Sequence, residues 1–182
     1  MNVETADDFA TLLFEEAKAF LEKYCSQREE DATVAYLHAA LLLGYCALEA
    51  HINNVAADFA DRPELTILER SILQERDVAL KSGQFELTNA PKMFRLEDRF
   101  EFLYRRFQNQ PLNKAESWWG LLKAGLDLRN GITHPRTPRT VTEKEVTDSL
   151  NAVLEAIDVL FQAVYGKPYP GKGRQLDSLL EF

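Results

Sequence analysis

The sequence predicts an all-α protein: a helical bundle of four main helices carrying an inserted helical hairpin. Apolar residues return at helical spacing along most of the chain, strand-like alternation is nearly absent, and Asp, Thr, Gly and Pro fall where such helices must start and stop.

Each element follows in turn. Phe9, Leu12, Leu13, Phe20, Leu21 and Tyr24 predict a first helix over about residues 4–27. Asp31 is placed to cap a second, long helix that Asp61 and Pro63 stop. Its stripe is Val34, Leu37, Leu41, Gly44, Leu48, Ile52, Val55 and Phe59, with Ala39, Ala40, Ala47 and Ala50 on other faces, so neighbours are expected on several sides. A more polar helix is expected over 64–81, ending at Gly83, with "QFELTNAP" irregular or a short extended piece. Leu96, Phe100, Leu103 and Phe107 mark the next helix, and another runs from about Glu116 to Asn130, where Gly131 is expected to end it in a left-handed conformation. Thr142 and Glu145 have the spacing of a capping box ahead of Val146, Leu150, Val153, Leu154, Ile157, Leu160 and Phe161. Residues 1–165 thus read as one domain with 64–110 as an insertion. Residues 166–182 read as a Pro- and Gly-containing tail with a turn at Leu176–Leu180.

Composition narrows the function. A net charge of −8 argues against a nonspecific nucleic-acid coat. Yet residues 91–140 hold ten Lys/Arg against five Asp/Glu, a local basic excess on an acidic chain. Cys25 and Cys46 have no metal-ligand spacing, and no Cys/His/Asp/Glu set does, so neither a metal nor another cofactor is expected. The opening stretch is acidic and amphipathic, unlike a secretory or transit segment. The longest apolar run, interrupted by His38 and Glu49, is short for a bilayer span. A cytoplasmic protein with no membrane association is the expectation.

The basic excess surrounds "LDLRNGITHPRTPRTVTE", residues 126–143. Trp118, Leu122, Gly125 and Arg129 are spaced four, three and four, which puts the arginine on the inward stripe of its helix. A buried guanidinium needs a partner. One reading supplies a carboxylate from Tyr45, Glu49 and Asn53, which share a face of the second helix; the other supplies an anionic substrate, which a planar five-donor fork suits. His134 lies five residues on and cannot share Arg129's helical face, but a chain reversal at Gly131, with Pro135 fixing the exit, brings it back to the helix end. Trp118 and Trp119 read as core rather than base-stacking aromatics. Arg95, Arg99 and Arg106 share a face and have acidic neighbours, reading either as an RNA guide or as a solvated face.

Arg-Asn-x-x-x-His, here "RNGITH" at 129–134, resembles the R-x(4–6)-H motif of the HEPN superfamily, in an all-α setting with a polar-studded second helix and a capped helix after the motif. The resemblance covers roughly residues 5–60 and 115–165. It implies a metal-independent endoribonuclease working as a homodimer, with a composite site built from both copies' motifs. The implied partners are RNA and an antitoxin or other regulatory protein, in toxin–antitoxin or phage defence. Carried over, Arg129 binds the scissile phosphate, His134 transfers protons, and Asn130 orients the phosphate. Glu49, Tyr45 and Asn53 support Arg129, while Lys123, Arg136, Arg139, Arg95 and Arg99 are candidate RNA contacts. The tyrosine that some family toxins carry two residues after the histidine is Arg136 here. A catalytically silent dimerisation or adaptor module, and a nucleotide-binding regulator using the same Arg and His without cutting, are the alternative readings.

Overall fold

The structure, a computed structural model, describes residues 3–27 and 33–180. The described residues form six α-helices and one two-stranded antiparallel sheet, so the fold is all-α in its main architecture. In order these are α1 (Ala6–Ser26), α2 (Thr33–Phe59), α3 (Ile67–Gln74), β1 (Arg76–Lys81), β2 (Gln84–Pro91), α4 (Leu96–Gln108), α5 (Ser117–Thr133) and α6 (Glu143–Tyr165). The predicted cap at Asp31 lies outside the described residues. The chain packs as two compact units: residues up to Ala50 together with those from Asn113 onward, and His51–Leu112.

In the first unit, α1, the first part of α2, α5 and α6 make a bundle. Its core includes Phe14, Leu41, Tyr45, Leu48, Leu150 and Ile157, each no more than 1% exposed. Two glycines set how closely the helices meet. A Cβ on Gly44 of α2 would come within 2.3 Å of the Leu150 side chain on α6. One on Gly125 of α5 would lie 2.3 Å from Tyr45 Oη and 2.4 Å from Ser149 Oγ. Phe9, expected on α1's buried stripe, is instead 51% exposed; Ala10, Phe14, Ala17 and Leu21 form that face. Val34–Phe59, 26 residues containing an 18-residue window of mean hydropathy 1.2, is long and apolar enough to cross a membrane by length and composition, contrary to the expectation from its shorter apolar run. Half of that window is buried inside the protein, as in a core helix.

Residues 166–180 do not form a free arm. Tyr169 is 3% exposed and its N–H donates to Asp158 Oδ1 at 2.8 Å, while Lys172 pairs with Glu155 and Asp158. Glu15 and Lys18 of α1 are fully buried, an arrangement that needs complete pairing. Lys18 Nζ donates to Glu15 Oε1 at 2.6 Å and to the Asp177 carbonyl at 3.0 Å. Arg174 Nη2 and the Leu179 N–H complete the Glu15 carboxylate at 2.8 and 2.7 Å. Burial alone would raise the Glu15 carboxyl, but these donors outweigh it and hold its pKa below the usual value.

The second unit corrects the expected helix over 64–81. Thr66 and Glu69 form a capping box that starts α3, and Glu75 in a left-handed conformation (φ 49°) ends it after eight residues. The chain then makes a β-hairpin in which Lys81 faces Gln84, Leu80 faces Phe85 and Val78 faces Leu87. Ser82 and Gly83 both have positive φ, 49° and 82°, giving the two-residue turn whose twist matches paired strands. The insertion is therefore a short helix, a hairpin and α4 rather than a helical hairpin. Within this unit Phe59 packs edge-on against Phe107 with ring centroids 4.5 Å apart.

Candidate active site

Three residues of the predicted α5 stripe, Trp118, Leu122 and Gly125, are buried, and Arg129 lies half-buried one turn further on. Gly131 is not a left-handed cap. It sits inside α5, which continues to Thr133, with His134 at the C-cap (φ −130°, ψ 61°). The reason is tertiary. Arg139, returning along the loop from Pro135, lies across the glycine: a Cβ there would be 3.1 Å from Nη1 and 3.2 Å from Cδ. Arg139 Nη1 also donates to the Asp127 carbonyl at 3.4 Å.

The last carbonyls of α5 are satisfied locally. The His134 N–H donates to the Asn130 carbonyl at 2.9 Å, and the Thr133 hydroxyl lies 3.2 and 3.3 Å from the carbonyls of Arg129 and Asn130. Arg129 Nη1 donates to Asn130 Oδ1 at 3.1 Å, which leaves the amide NH₂ of the exposed Asn130 as a donor. Among the described residues the Arg129 guanidinium has no carboxylate partner, and its Nε is buried without a hydrogen bond. His134, Arg136 and Arg139 are exposed. Of these basic side chains only Arg139 is seen to lie against the end of α5, at Gly131 and the Asp127 carbonyl.

The expected support from α2 takes a different form. The Tyr45 hydroxyl, 1% exposed, donates to the Leu122 carbonyl at 2.6 Å, so it braces the α5 backbone rather than the arginine. Burial pushes its pKa upward. Glu49 is half-buried and makes no hydrogen bond or ion pair among the described residues. Asn53 accepts from Arg99 Nη1 at 2.7 Å, in the second unit.

Arg99 is therefore not a surface RNA contact. It is 4% exposed, and its guanidinium reaches Glu75 at 2.9 Å and the Leu73 carbonyl at 3.4 Å; neither the RNA guide nor the solvated face describes it. Arg95 precedes α4 and is exposed, as is Lys123 on α5, while Arg106 pairs with Glu69 at 3.4 Å. Trp118 and Trp119 are 8% and 5% exposed and meet edge to face, as expected of core residues.

Comparison with protein-family models, with curated proteins and with solved structures gave no match. Among the described residues no group of three or more His, Cys, Asp or Glu side chains converges as metal ligands would.

The loop after the motif is anchored at its far end. Thr142 and Glu145 form the predicted capping box at the start of α6, with Thr142 Oγ1 and N–H donating to Glu145 Oε2 at 2.8 and 2.9 Å. The Thr142 hydroxyl, then its N–H, hold the Glu145 carboxyl below its usual pKa, and the charge of Arg139 adds to this. Residues 135–141 thus run between two fixed helix ends and carry Arg136 and Arg139.

Proposed function

We propose that this chain is a HEPN-type, metal-independent endoribonuclease whose chemistry lies at the end of α5. The observation that carries the reading is the Arg129 guanidinium, which has no carboxylate partner among the described residues and stands close in sequence to the exposed His134. A structural arginine would be neutralised by a carboxylate; one left free of anions is ready to take a phosphate.

In the proposed reaction the ribose 2′-hydroxyl attacks the adjacent phosphorus and the bond to the 5′-oxygen breaks. A histidine removes the 2′-proton and a histidine protonates the leaving oxygen. Arg129 and the Asn130 amide NH₂ stabilise the charge of the pentacovalent phosphorane. One chain offers one such histidine, so the two proton transfers call for a second copy. The outward face of α5 supports close approach there: Gly120 and Ala124 are small and exposed, and Leu121 is 39% exposed.

The test is cleavage of single-stranded RNA in the presence of a chelator. The expected products carry 2′,3′-cyclic phosphate and 5′-hydroxyl ends, with DNA left intact because it lacks the nucleophile. His134→Ala is expected to slow cleavage by roughly 10²–10⁴-fold. Arg129→Ala should be comparably slow with an unchanged circular dichroism spectrum. Absence of cleavage on every RNA tried, or cleavage that survives both substitutions, would instead assign the fold to a silent adaptor.

A further inference from the structure

We infer that the β1–β2 hairpin is a self-association surface on which a second copy of this chain pairs β1 against β1, making a four-stranded antiparallel sheet. This does not rest on the ribonuclease reading and uses residues of the second unit only.

The first observation is an open edge. In a hairpin with a two-residue turn the flanking pair Lys81–Gln84 is hydrogen-bonded, as is the pair two residues back, Ala79–Glu86. The backbone N–H and C=O groups of Val78 and Leu80 therefore point away from β2. Among the described residues they have no partner on that side. The second observation is an apolar face. Val78, Leu80, Phe85 and Leu87 share one side of the hairpin. Nearer the turn this face is open, with Leu80 64% and Phe85 66% exposed. A lone hairpin in water is marginal, and an open edge beside an apolar face invites a further strand.

Charge and register select the occupant. If two copies of β1 run antiparallel about Ala79, Val78 of one faces Leu80 of the other, and these residues are the ones with outward backbone groups. The same register places Asp77 opposite the second copy's Lys81, twice. Asp77 is already 3.4 Å from Lys92 and Lys81 is 4.0 Å from Glu86, all exposed. The joined sheet would then carry the alternating series Lys92, Asp77, Lys81, Glu86 across its polar face. The equivalent pairing of β2 about Glu86 would oppose two carboxylates, so β1 is the edge that matches itself.

Sedimentation of the full chain over about 1–100 µM is expected to show reversible association. Asp77→Lys alone and Lys81→Asp alone should each weaken it about tenfold by opposing like charges, and the double exchange should recover it. Leu80→Pro removes an outward N–H without touching the β2 ladder, and should abolish this contact while the helical spectrum is retained. A chain that stays monomeric throughout overturns the proposal. So does association that is indifferent to the single charge changes and to Leu80→Pro, which would place the contact elsewhere, including at α5. RNA cleavage by Arg129→Ala and His134→Ala reports separately on the ribonuclease reading.

Discussion

Gly125 and Gly131 stand six residues apart on α5, and the same substitution should act on them in opposite ways. A methyl at Gly125 would have to displace the Tyr45 hydroxyl, which is committed to the Leu122 carbonyl, and Ser149 Oγ, which donates to the Glu145 carbonyl at 2.6 Å. Gly125→Ala is expected to lower stability by about 1–3 kcal/mol in urea unfolding. At Gly131 the obstacle is one flexible arginine, and the backbone is already helical. Gly131→Ala should stay within about 1 kcal/mol of the parent, since the gain in helix propensity offsets the repositioning of Arg139. A large loss at Gly131 would show that Arg139 is a structural clamp. The sequence pointed to both glycines, one as part of the inward stripe and the other as a helix stop. Near a helix end a glycine carries the same local signal whether it caps or continues, and the contact that decides between them comes from eight residues away. The Arg99–Glu75–Asn53 cluster was hidden for a similar reason: Arg99 has acidic neighbours in sequence, but its actual partners come from α2 and from the residue just after α3.

Among the elements, the capped helices were the most legible. α6 begins where Thr142 and Glu145 said it would, because a hydroxyl and a carboxylate three residues apart satisfy backbone donors that have no other partner. Thr142→Ala should cost about 0.5–2 kcal/mol. It should also loosen the loop carrying Arg136 and Arg139, which hydrogen exchange at residues 135–145 would register; unchanged protection there would disconnect the cap from the loop. The same Thr-x-x-acid spacing begins α1 at Thr5 and α3 at Thr66. The hairpin was less legible. Leu65, Leu68 and Leu73 support a helical period, and the switch to alternation falls on Glu75, a non-glycine residue with positive φ. Its turn, Ser-Gly, is a weaker signal than Asn-Gly.

For the molecule as a whole, acid should act in two separate windows. Burial holds the His51 pKa down to about 4 from 6.5, so the folded state keeps this ring neutral where the unfolded chain would protonate it. Its stabilising effect is complete above about pH 6.5, declines as pH falls, and levels off below about 4, a loss on the order of 3 kcal/mol. The carboxylates of Asp8, Glu15, Glu69 and Glu145, all held below their usual values, lose their contribution only at lower pH. Unfolding free energies from pH 7 to 4.5 should fall in the parent and remain nearly flat in His51→Phe. Equal slopes would assign the effect to another group.

The ion pair inside α1 also imposes an order of events on biosynthesis. Glu15 and Lys18 leave the ribosome well before the donors and acceptor that complete them, since Arg174, Asp177 and Leu179 lie 159 to 164 residues further along. Until those residues are outside the exit tunnel, burying α1 in the bundle would trap a carboxylate and an ammonium with only each other. While those residues are being made, α1 is therefore expected to remain loosely docked, settling when residues 174–179 arrive.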